Sequence, residues 1–126
     1  MVTYADRPWL KHYDSGVPAS LHPYPNIPLF QFLHEAAQKF PSNIALVTQT
    51  HVPVAGRIAK SLNYAEVDAA SDALAVGLIE MGLKKGDRVA LVMPNTASFI
   101  ISYYGVLKAG GVVAATNPTY PAEKMQ

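Results

Sequence analysis

The sequence predicts an α/β fold, with a mainly parallel sheet, crossover helices and one small hairpin. Two observations carry this expectation. Apolar residues recur at three- and four-residue intervals in Leu29–Phe40 and again in Val67–Met81, which is the spacing of a buried helix face. Short runs rich in Val, Leu and Ala, bounded by Gly, Pro and Asn, alternate with helical stretches in the second half and read as strands. Composition agrees, since 50% of the residues are apolar and only 15% are charged, a balance that favours a packed core over disorder. A chain of 126 residues buries about two-thirds of its unfolded surface, so one domain or subdomain is expected.

The elements follow in order. Residues 1–28 hold Pro8, Pro18, Pro23, Pro25 and Pro28, and proline removes backbone donors and biases its predecessor toward extended geometry. This predicts an extended arm anchored on the body by Trp9, Tyr13, Leu21 and Tyr24. Residues 29–126 form the remaining unit. Leu29, Phe32, Leu33, Ala36, Ala37 and Phe40 share one helix face, with Pro28 suited to the first turn and Pro41 as the stop. Ile44–Thr50 and Arg57–Leu62 read as a hairpin around Pro53, Ala55 and Gly56.

Asn63 with Glu66 forms a capping-box pattern opening a helix whose stripe is Val67, Ala70, Leu74, Leu78 and Met81, ending at Gly82. Arg88–Met93 reads as a parallel strand, Asn95 as the cap of an apolar helix, and Gly110 and Gly111 as its end. Val112–Thr116 is the last strand, and Pro121 opens a further helix. Thr96–Thr116 approaches membrane-spanning length, but Lys108 at its centre and Gly105, Gly110 and Gly111 favour a buried helix followed by a buried strand.

Several chemistries are excluded. There are no cysteines, so disulfides, thiolate zinc sites and cysteine nucleophiles are absent. Ten basic against nine acidic residues, without a basic run, argue against nucleic acid as a partner. The strand Arg88–Met93 is followed by Pro94, Asn95, Thr96 and Ala97, with no glycine to let backbone donors approach phosphates. His12, His22, His34 and His51 show no helical metal spacing, and no serine sits in a Gly-x-Ser-x-Gly elbow. Glu66, Asp68, Asp72 and Glu80 fall on the expected solvated face of their helix, and Asp87 in a turn. Lys108 stands alone in an apolar helix, where a structural role at the negative helix end is expected.

Three motifs in series carry a resemblance. Leu62-Asn63-Tyr64-Ala65-Glu66-Val67 is followed by Gly82-Leu83-Lys84-Lys85-Gly86-Asp87-Arg88-Val89 and Met93-Pro94-Asn95, then by Leu107-Lys108-Ala109-Gly110 and Asn117-Pro118-Thr119-Tyr120-Pro121. In this order and spacing the chain resembles the N-terminal part of adenylate-forming (AMP-binding) enzymes of the acyl-CoA synthetase type. Trp9-Leu10-Lys11-His12-Tyr13, Gly16-Val17-Pro18 and Phe40-Pro41 are similar to bacterial long-chain fatty-acid CoA ligases. Asn63 replaces the usual Thr or Ser and caps equally well. Pro121 replaces a common capping Thr.

The resemblance implies an incomplete N-terminal subdomain of the acyl-CoA synthetase-like fold, in which residues 29–126 are the start of an AMP-binding domain. It implies a parent ligase that uses ATP, Mg and CoA to convert a fatty acid through an acyl-adenylate to acyl-CoA. The ATP-binding and catalytic motifs of that family lie downstream, so no catalytic, cofactor-binding or metal residue is expected here, and the piece by itself is expected to be inactive. Aryl-CoA ligases share the same scaffold motifs, and a non-catalytic interaction module is the alternative of a different class. Met1–Lys11 lacks the uninterrupted apolar core of a signal peptide, so a cytoplasmic location is expected. Uncovered faces on such a piece predict self-association.

Overall fold

The computed structural model describes residues 3–54, 56–120 and 123. Three helices, α1 (Leu29–Lys39), α2 (Tyr64–Glu80) and α3 (Ala97–Lys108), accompany four strands, β1 (Ile44–Val52), β2 (Gly56–Asn63), β3 (Arg88–Val92) and β4 (Val112–Thr116). The strands form two separate pairs. β1 and β2 are an antiparallel hairpin, while β3 and β4 are parallel, with α3 as the connection between them. The parallel part of the fold is therefore this single pair, and the hairpin is a sheet of its own.

Local sequence explains most element ends. The Asn63 side chain accepts from the Glu66 amide at 2.8 Å and the Glu66 carboxylate accepts from the Asn63 amide at 2.8 Å, a reciprocal capping box. At the far end of α2, Gly82 at φ 98° lets its own N–H reach the Ile79 carbonyl and the Leu83 N–H reach that of Leu78. The same double bond closes α3, with Gly110 at φ 81° bonding Leu107 and Gly111 bonding Val106. Two Gly-ended helices stop for the same backbone reason. Between α2 and β3 the Asp87 carboxylate accepts from the Lys84 amide at 2.8 Å, and Gly86 donates to the Gly110 carbonyl, tying this turn to the start of β4.

The core lies where α1 and α3 meet α2. Val67 and Val106 are 1% exposed and Ser71 is fully buried, with Leu33, Ala37, Ala75 and Leu91 around them. α2 and α3 approach closely because Gly105 has no side chain, and a Cβ there would lie 2.8 Å from Leu74 Cδ2. α3 is apolar nearly all round, and only Ser98 of its residues is exposed.

Several expectations need correction. The buried face of α2 is Val67, Asp68, Ser71 and Ala75, rotated from the expected stripe, and Met81 is 85% exposed. α3 begins after Thr96, not Asn95; the Thr96 carbonyl accepts the first helical amides while Asn95 stays exposed. The arm is not simply extended. It makes short 3-10 turns at Tyr4–Asp6 and Pro8–His12, the first held by a Thr3–Asp6 box, the second opened by Pro8. Its expected anchors stay open, with Trp9, Tyr13, Tyr24 and Leu21 between 40% and 70% exposed. The helix expected at Pro121 and the hairpin residue Ala55 lie outside the described residues. Among the described residues, no helix is long and apolar enough to cross a membrane.

Candidate functional site

The densest polar arrangement joins all three helices. Lys108, in the last turn of α3, turns its ammonium toward α2 and meets Asp68 Oδ1 at 2.5 Å, Asp72 Oδ1 at 2.6 Å and the Asp68 carbonyl at 3.1 Å. Three donors meet three acceptors, so the ammonium is saturated. From α1, His34 Nδ1 lies 3.0 Å from Asp68 Oδ2, and Gln38 Nε2 lies 2.9 Å from His34 Nε2. With the Gln38 amide as donor, the ring accepts at Nε2 and its Nδ1–H donates to Asp68. The Ser71 hydroxyl donates to the Asp68 carbonyl at 2.7 Å.

The Asp68 and Lys108 side chains are only 11% and 9% exposed, whereas Asp72 is 59% and His34 44% exposed. Burial pushes the Asp68 carboxyl up, but the hydrogen bonds from Lys108 and His34 and the charge of Lys108 outweigh it and hold the group below the usual aspartate value. Asp68 was expected on a solvated face; its burial is the largest correction to the site reading. Lys108 has the expected structural role, but its partners are carboxylates of α2, not the carbonyls of its own helix.

This arrangement fastens the three helices to one another. Every ammonium proton, both ring nitrogens and both Asp68 oxygens are engaged. No group of three His, Asp or Glu able to hold a metal occurs among the described residues. His12 and His22 lie exposed on the arm, apart from the cluster, and the His51 side chain is outside the described ones.

A second location lies at the carboxyl ends of β3 and β4, where ligands of parallel α/β sheets commonly bind. There a cavity of about 390 Å³ is lined by Asn95, Phe99, Thr116, Asn117 and Thr119, among others. Its polar groups are amides and hydroxyls. Asn117 Oδ1 already accepts from the Thr119 amide at 3.0 Å and from its hydroxyl at 2.8 Å, so it shapes the turn. The cavity offers no acid, base or cation of its own. The signal that could have found it is the placement of Asn-Pro and Pro-Asn steps directly after two strands.

Comparison with known proteins identifies the family. The model for the family described as AMP-binding enzyme matches residues 33–126. A long-chain-fatty-acid–CoA ligase of Bacillus subtilis is 37% identical over 122 residues, covering 97% of this chain and 20% of the relative. Among solved structures, a fatty acyl CoA synthetase of Mycobacterium tuberculosis aligns with TM-score 0.64 at 30% identity, over 78% of this chain and 18% of that one. The N-terminal subdomain of Klebsiella oxytoca NpsA shares the fold with TM-score 0.68 at 24% identity, over 78% of this chain and 23% of that one. The chain thus spans about one-fifth of the length of the curated relatives it matches. With three ordered motifs, a shared fold and a family match over most of its length, the chain belongs to the AMP-binding enzymes.

Proposed function

We propose that this chain is scaffold from an ATP-dependent fatty acid–CoA ligase, a cytoplasmic enzyme that joins a long-chain acid to CoA through an acyl-adenylate, and that the chain alone is inactive. The observation that carries the reading is the 37% identity to a long-chain-fatty-acid–CoA ligase along nearly the whole chain. ATP, Mg and CoA are the cofactors this activity implies. The residues described here do not fit Mg-ATP: the step from β3 to α3 has no glycine, the network carboxylates are committed to Lys108, and no metal-type cluster is formed. Their contribution is to hold α1, α2 and α3 in one arrangement and to present the ends of β3 and β4.

The reading is tested by sequencing the gene past the codon for Gln126. A following Ser/Thr/Gly-rich loop ending in Pro-Lys-Gly is the expected result, and a stop codon directly after Gln126 contradicts it in favour of a non-catalytic module. With the longer protein in hand, a panel of acids separates fatty from aryl substrates. Long-chain acids should give the higher kcat/KM.

A further inference from the structure

We draw no further inference here: the strongest candidate, the groove between the β1–β2 hairpin and the start of α3, lined by Ile58, Lys60, Leu62 and Ile101, is an apolar surface with one exposed lysine, and nothing in the structure shows what covers it.

Discussion

The α2–α3 pairing and the outer face of β3–β4 are opposite kinds of surface in one small chain. At the first, residues 34, 68, 72 and 108 satisfy one another, Gly105 admits Leu74, and Val67 and Val106 are closed off from water. At the second, four apolar side chains and one arginine face solvent on strands that ordinarily have cover on both sides. The side chains between the helices satisfy one another, and those on the outer sheet face meet water.

The comparison breaks most sharply at Asp68. Asp68→Ala leaves Lys108 buried with only the exposed Asp72 as carboxylate partner, and removal of one member of a buried pair costs about 3–5 kcal/mol. The denaturation midpoint should fall accordingly. A combined Asp68→Leu, Lys108→Met variant should lose less than Asp68→Ala, because no unpaired charge remains. If the double variant is as unstable as the sum of its singles, the pair is not coupled as described.

Glycine offers the next test. Gly105→Ala places its Cβ against Leu74, including 3.1 Å to the backbone-proximal Cβ, and such overpacking costs about 1–3 kcal/mol. Gly77→Ala, with nothing within 4 Å of the new Cβ and a helical backbone, should stabilise by about 0.5–1 kcal/mol. Opposite signs from the same substitution on packed helices would sharpen the contrast between closed and open surface. Asn63→Ala should cost about 1 kcal/mol through loss of the α2 cap, measured as a shift in thermal midpoint.

The smallest effect is on pH dependence. The folded Asp68 carboxyl sits below its unfolded value, so its contribution is fully present above the ordinary aspartate range and fades as pH falls through the folded value. Stability measured from neutral to acid pH should fall more steeply in the wild type than in Asp68→Asn. Parallel curves would show that Asp68 is not the group responsible.

What could be read in the sequence was local. The capping box of Asn63 and Glu66, and the glycines that end α2 and α3, depend on residues within one turn, and the structure has them where the pattern predicts. Burial of Asp68 could not be read that way. Helical spacing alone puts Asp68 among polar neighbours, and its partner Lys108 lies 40 residues on. The hint was on the other side of the pair: one lysine in an apolar helix requires a carboxylate, and α2 carries two at i and i+4, Asp68 and Asp72. The arm failed for a related reason. Trp9, Tyr13, Leu21 and Tyr24 have the composition of anchors, but composition does not supply the surface on which they would rest.

The motifs that mark the family here are thus caps, turns, a helix end and a buried charge cluster. That claim is tested most directly by incubating the purified, folded chain with ATP, Mg and a long-chain fatty acid and following pyrophosphate. The account predicts no acid-dependent release above buffer. Sustained release that depends on the acid and on the concentration of the chain would contradict it.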